Sequence, residues 1–352
     1  MTTLGSAIFL SAGLFMGWSL GANDAANIFG TAVGTKMIKF RTAAIICTIF
    51  VILGAVISGA GASHTLGKLG EINAIGGAFT VAFAAAITVF GMTKQGLPVS
   101  TSQAIVGAII GWNFFVGVST DPAVLYKIMG TWFFTPVLGA VFAIVFYFVT
   151  KCILDKLQIH IMRLDNYTRI ALVLVGIFGS YSLGANNIAN VMGVFINVSP
   201  FDNIYIKDVF HISGTQQLFL LGGIAISIGV FTYSKKVMMT VGSSIFKLSP
   251  ISAYIVVLAS STVLFVFASE GLKMWLMERN LPSFPLVPVS QSQAVVGAIM
   301  GIGIFKSGRN VNFKVLGRIG VGWILTPLCA MLISYVSLSF MQNVFMQTVF
   351  LK

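Results

Sequence analysis

Apolar residues in this chain come in blocks of about 20, separated by short stretches that hold nearly all of the charge. Blocks of that length are what a helix needs to cross a bilayer, and they argue for helices rather than a barrel. Ten spans are predicted, at roughly 5–33, 42–62, 73–93, 98–114, 129–150, 170–198, 217–234, 251–269, 288–304 and 318–341. The first and sixth exceed the crossing length, as two half-helices broken within one span would. Between the fifth and sixth, Lys151 to Arg169 alternates Ile, Leu and Met with charge. That stretch predicts an amphipathic linker helix, 151–169, on the membrane surface, joining a first half, 1–150, to a second, 170–343.

The halves repeat one another. Ser19-Leu-Gly-Ala-Asn23 recurs as Ser182-Leu-Gly-Ala-Asn186. The fourteen residues from Pro98 to Gly111 recur from Pro288 to Gly301, identical at 11 positions. Trp132-Phe-Phe-Thr-Pro136 recurs as Trp323-Ile-Leu-Thr-Pro327. Loop charge then sets the direction of each crossing. Positive clusters stand at Lys36/Lys39/Arg41, Lys94, Lys151/Lys156/Arg163/Arg169, Lys235/Lys236/Lys247 and Lys306/Arg309/Lys314/Arg318, while the alternate loops are neutral or mixed. Ten spans with the N-terminus outside put every cluster in the cytoplasm. Each repeated segment then crosses opposite to its mate. The expected fold is an all-α polytopic membrane protein: two inverted-topology repeats of about 10–12 membrane segments, with broken or re-entrant helices meeting at mid-membrane, the usual build of a secondary transporter.

Composition supports this and removes other classes. Of 352 residues, 57% are hydrophobic and 9% charged, against about a quarter charged in soluble domains. The net charge of +12 sits in short loops and reads as topology, not as nucleic-acid binding. Cys47, Cys152 and Cys329 show no paired spacing and read as packing residues; His64, His160 and His211 are scattered, which argues against a metal site. No span carries a paired carboxylate, a His–Cys set or a Ser–His set, so an enzyme is not expected. The expected location is a prokaryotic plasma membrane, multi-pass, and a homodimer is compatible with this build.

Candidate chemistry lies in the repeats. Asp24 is the only one of nine acids inside a predicted span; Glu71, Asp121, Asp155, Asp165, Asp202, Asp208, Glu270 and Glu278 lie in flanks or loops. An ionisable group at membrane depth costs at least a few kcal/mol and marks an ion or substrate by default. The neighbouring Gly and Asn are poor helix formers, which predicts that the helix opens at Gly21–Asn27 and at Gly184–Asn190. Asn23, Asp24, Asn27, Asn186, Asn187 and Asn190 supply hard oxygens suited to Na+, and the lone carboxylate could take a proton instead. Pro98 and Pro288 each open an apolar helix followed by Ser100, Thr101, Ser102 and Gln103, or by Ser290, Gln291, Ser292 and Gln293. A helix start with free N–H groups favours an anion, and two such starts facing each other form a cage of neutral donors. Single Ser, Thr or Asn residues in membrane helices more often satisfy backbone or glue helices. Here they cluster, recur and accompany a carboxylate. The Trp-x-x-Thr-Pro pair reads as two structural kinks.

In these residues the chain resembles the PiT family of inorganic phosphate transporters. The likeness covers both halves, through Gly21–Asn27, Gly184–Asn190 and the two Pro-Val-Ser-x-Ser-Gln segments. It implies symport of phosphate with Na+ or H+, with cation binding at Asn23, Asp24 and Asn186 and phosphate contacts at Ser100–Gln103 and Ser290–Gln293; no other cofactor is implied. Many family members have a second acid where this chain has Asn187, and larger members carry a long central cytoplasmic loop that is missing here. Some relatives carry sulfate. The leading expectation is therefore phosphate import by cation symport through alternating access. A sulfate or thiosulfate permease of the same family is the alternative, and an anion channel the alternative from a different class.

Overall fold

The computed structural model describes residues 3–95, 99–206, 210–235, 237–238, 248–306 and 313–351. Pro98, Asp208, Lys236, Lys247 and Arg309 lie outside the described residues. Twelve α-helices are described: α1 (Thr3–Gly34), α2 (Phe40–Ser58), α3 (Ala60–Leu69), α4 (Ile75–Lys94), α5 (Thr101–Val116), α6 (Pro122–Leu157), α7 (Ile161–Met192), α8 (Gly214–Thr232), α9 (Pro250–Val266), α10 (Glu270–Met277), α11 (Gln291–Lys306) and α12 (Phe313–Asn343). A 3-10 turn, Gly193–Val198, follows α7, and a two-stranded antiparallel hairpin, β1 (Ile204–Ile206) with β2 (Phe210–Ile212), pairs Tyr205 with His211.

Among the described residues, seven helices are long and apolar enough to cross a membrane: α1, α2, α4, α6, α7, α8 and α12. The other three expected spans are shorter. Helices α5 and α11 have 16 residues each, about 24 Å of rise, and α9 has 17 and bends by 69° into α10. Short helices that start inside the molecule suit an anion-binding role better than full spans would.

Two expectations are corrected. The first concerns Gly-Ala-Asn: α1 and α7 run unbroken through both motifs. Their glycines are crossing points instead. A β-carbon on Gly21 would collide with the Ile226 carbonyl of α8, and one on Gly184 with the Val51 carbonyl of α2. Gly229 and Gly54 answer from the other side, against the carbonyls of Trp18 and Tyr181. Backbone contact at that range offsets the poor helix propensity of glycine, about 1 kcal/mol per residue. The second concerns 151–169, which is no separate surface helix. Helix α6 continues to Leu157, Gln158 turns the chain in the left-handed region (φ 42°), and α7 starts at Ile161. At 36 residues α6 rises about 54 Å, so its charged end stands clear of the bilayer.

The packing has a recurring pattern. Helix α2 lies along α7 as α8 lies along α1; α6 along α11 as α12 along α5; α4 against α1 as α9 against α7. Helices α1, α2, α7 and α8 form a central block, with α4, α5 and α12 as one arm and α9, α11 and α6 as the other. The Thr-Pro steps lie within unbroken helices, where the Pro136 and Pro327 carbonyls press on Gly297 of α11 and Gly107 of α5. Cys47 is buried in the core, while Cys152 is exposed and Cys329 half-buried, so the packing role fits Cys47 and not Cys152.

Candidate functional site

Helix α1 carries Asn23, Asp24 and Asn27 on successive turns, and α7 carries Asn186, Asn187 and Asn190 at the same spacing. The starts of α5 and α11 bring Ser100–Gln103 and Ser290–Gln293 between them. All fourteen side chains are buried, with Asn27, at 9% exposed, the most open. Ser100 caps α5 by accepting from the Gln103 N–H at 3.2 Å, and Ser290 does the same for Gln293 at 3.3 Å. Such a cap contributes about 1 kcal/mol and fixes where each helix begins.

The two Pro-Val-Ser turns clasp each other. The Ser102 hydroxyl donates to the Val289 carbonyl at 3.0 Å, and the Ser292 hydroxyl donates to the Val99 carbonyl at 2.8 Å. Each serine in turn accepts from an Asn of the central block: Asn190 Nδ2 to Ser102 Oγ at 2.9 Å, Asn27 Nδ2 to Ser292 Oγ at 3.4 Å. Asn186 holds the extended approach to α11 at two points, donating to the Val287 carbonyl (3.1 Å) and accepting from the Val289 N–H (2.8 Å). Asn23 donates to the Val99 carbonyl at 3.3 Å. The asparagines therefore replace, for the extended segments, the backbone partners that a helix would supply.

The symmetry fails most sharply at Asp24. Asp24 Oδ1 accepts from Asn23 at 2.9 Å; Oδ2 accepts from the Thr101 hydroxyl at 3.1 Å and from Asn187 Nδ2 at 3.3 Å. Asp24 and its counterpart Asn187 thus touch directly, one an acid and one an amide. Asn187 must present its amide to the carboxylate. Asn190 must do likewise toward Ser102, whose only proton goes to Val289. Their carbonyl oxygens, Asn187 Oδ1 and Asn190 Oδ1, are consequently turned away from these partners, and both are buried without a hydrogen bond. The Gln103, Gln291 and Gln293 Oε1 atoms are buried and unbonded too. The Asp24 carboxylate and these unspent amide oxygens are hard ligands of the kind a small cation takes. Among the described residues no group of three His, Cys, Asp or Glu residues could hold a metal, so such a site rests on amides and one acid.

Side-chain hydrogen bonds tie Asn23, Asp24, Asn27, Asn186, Asn187, Asn190, Thr101, Ser102 and Ser292 together across α1, α7 and the starts of α5 and α11, and the other five candidates sit beside them in the sequence. Left unseen were the Val99 and Val289 carbonyls, which carry the clasp. Only the repeat itself, with Val between Pro and Ser in both copies, could have pointed to them.

Comparison with known proteins places the chain among transporters. The sequence profile of the phosphate transporter family matches residues 20–334. A "putative phosphate permease" of Methanocaldococcus jannaschii is 26% identical over 317 residues, 90% of this chain and 91% of its own. The sulfate permease CysP of Bacillus subtilis is 29% identical over 336 residues, covering 93% of this chain and 85% of its own. A solved structure, a sodium-dependent phosphate transporter, superposes with a TM-score of 0.72 at 25% identity, over 94% of this chain and 97% of the other. Family and structural neighbour are transporters, not enzymes, and the curated relatives are prokaryotic. A multi-pass membrane protein, the chain belongs to the phosphate transporter family.

Proposed function

We propose that the protein imports inorganic phosphate by symport with Na+ or H+, through alternating access. The observation that carries this is the junction of Asp24 with the starts of α5 and α11. There a carboxylate, unspent amide oxygens and two helix N-termini meet in one buried space. The helix ends favour an anion, the oxygens a cation, and each ion lowers the cost of burying the other. Asn23, Asp24 and Asn186, with the free oxygens of Asn187 and Asn190, are the cation residues. Ser100–Gln103 and Ser290–Gln293 are the phosphate residues. Both ions require the clasp to loosen, because Ser102 and Ser292 now spend their protons on Val289 and Val99. The sodium dependence named for the structural neighbour favours Na+ over H+.

A second reading, sulfate transport, is favoured by Asn187 and by the likeness to the Bacillus subtilis permease. Phosphate near neutral pH keeps an O–H and can donate to Asp24, whereas sulfate only accepts. Asn187 offers N–H as well as C=O and so weakens the rejection of sulfate. Proteoliposome uptake of labelled phosphate, with and without Na+ and a pH gradient, decides between the readings. Cation-driven accumulation inhibited only by large excess sulfate is expected. Sulfate that displaces phosphate at equal or lower concentration overturns the assignment.

A further inference from the structure

A cavity of about 420 Å³ lies between α3 and the 3-10 turn after α7, on the face that loop charge places outside. His64, Lys68, Glu71 and Asn197 line it, all of them exposed side chains outside the site described above. Gly193, in its wall, is three residues beyond Asn190, so the cavity ends about one helical turn, roughly 5 Å, from the central site. Leu66, fully buried, closes the gap: its Cδ2 stands 3.2 Å from where a β-carbon on Gly193 would be.

Helix α3, the other wall, is fastened to α5 and to the segment that leads into α11. Thr65 donates to the Leu286 carbonyl at 2.5 Å, in the extended segment that leads into α11. Asn113 of α5 donates to the Leu69 carbonyl at 2.9 Å, at the other end of α3. Any movement that parts the two helix starts therefore pulls on the floor of this cavity.

The lining has a particular chemistry. His64 and Lys68 stand one turn apart on α3 and offer N–H donors, one of them a fixed positive charge. Glu71 adds an acceptor only. A fully ionised oxyanion gains from the lysine and is repelled by the glutamate. A partly protonated oxyanion gains from both, because its own O–H can donate to the carboxylate. We propose that this cavity is an outer vestibule where hydrogenphosphate rests before entering the central site, held by Lys68 and His64 and distinguished from sulfate by Glu71. The inference rests on the phosphate-import reading and deepens it: sorting begins before the buried site.

The test uses labelled phosphate in right-side-out and inside-out membrane vesicles holding the wild type, Lys68→Met, Lys68→Arg, Glu71→Gln, or Lys127→Met. Lys127 is exposed on the same side and does not line the cavity, so its loss controls for general surface charge. Lys68→Met should raise the half-saturating phosphate several-fold for entry from the outer side only. Arg should restore most of it, and the shift should shrink at high ionic strength, as exposed charges are screened within about 8–10 Å. Glu71→Gln should make sulfate a several-fold better inhibitor of uptake. Lys68→Met with wild-type half-saturation, or with equal shifts from both sides, overturns the vestibule, since a structural role would not respect sidedness. Glu71→Gln with unchanged sulfate inhibition overturns the sorting. Wild-type vesicles that accumulate no phosphate would instead sink the functional reading itself.

Discussion

Asp24 and the two clasp serines hold the chemistry at residue scale, and they fail in different ways when altered. Asp24→Asn keeps the shape, but it has one oxygen to accept the three hydrogen bonds that Asp24 receives and it deletes the negative charge available to a cation. A neutral side chain is also cheaper to insert, so the protein should reach the membrane in normal amounts and lose cation-driven uptake. Wild-type rates with normal cation dependence in Asp24→Asn would remove it from coupling. Ser102→Ala takes the donor from the Val289 carbonyl and leaves Asn190 only Thr101, at 3.5 Å. Ser292→Ala takes one donor from the Val99 carbonyl, which keeps Asn23, and the acceptor from Asn27. Each should weaken anion binding by roughly 1–3 kcal/mol, the cost of an unsatisfied buried partner. Equilibrium binding of labelled phosphate in detergent measures it, and the two variants should lose similar amounts. A loss confined to one serine would refute the symmetric clasp.

At the scale of elements, the sequence was most legible where length and repetition carry the signal. The ten predicted apolar segments correspond to ten helices, and the paired motifs brought every site residue to one place. What the pattern concealed was the use made of glycine. Gly21 and Gly184 could either open a helix or admit a neighbouring backbone, and composition around them is the same in both cases. Only the partner helix, with Ile226 or Val51 opposite, decides it. The stretch 151–169 conceals its structure for a related reason: it alternates apolar and charged residues because two long helices end and begin within it. Gly21→Ala tests the crossing. Its methyl group must push α1 from α8, at about 1–3 kcal/mol for an overpacked contact, and it displaces Asn23 and Asp24 only two and three residues on. A lower Tm in detergent together with loss of uptake is expected. Gly91→Ala, in α4 with nothing within 4 Å of the new carbon, should be neutral or stabilising by up to about 1 kcal/mol. If Gly21→Ala behaves like Gly91→Ala, the crossing does not matter.

For the whole molecule, the question is how charge crosses a protein whose central site contains no basic residue. The fourteen site residues supply one carboxylate, neutral amides and hydroxyls, and two helix ends worth about half a charge each. A singly charged phosphate beside ionised Asp24 makes two negative charges, and hydrogenphosphate makes three. Each uncompensated buried charge costs several kcal/mol, more than two partial dipoles return. On the symport reading, at least two cations accompany each phosphate when Asp24 is ionised, and the site does not open to both sides while they enter. Uptake plotted against Na+, or against H+ if that is the coupling ion, should accordingly rise with a Hill coefficient above 1. With the membrane potential clamped, vesicles preloaded with unlabelled phosphate should drive transient accumulation of label, which a channel cannot do. Asn187→Asp places a second carboxylate at the position 3.3 Å from Asp24, where the present amide donates. Two carboxylates there require a cation or proton between them, so this variant should steepen the cation dependence and sharpen the preference for phosphate over sulfate. A hyperbolic cation dependence in the wild type that stays hyperbolic in Asn187→Asp would show that charge is balanced in some other way, and that Asp24 and Asn187 are not its centre.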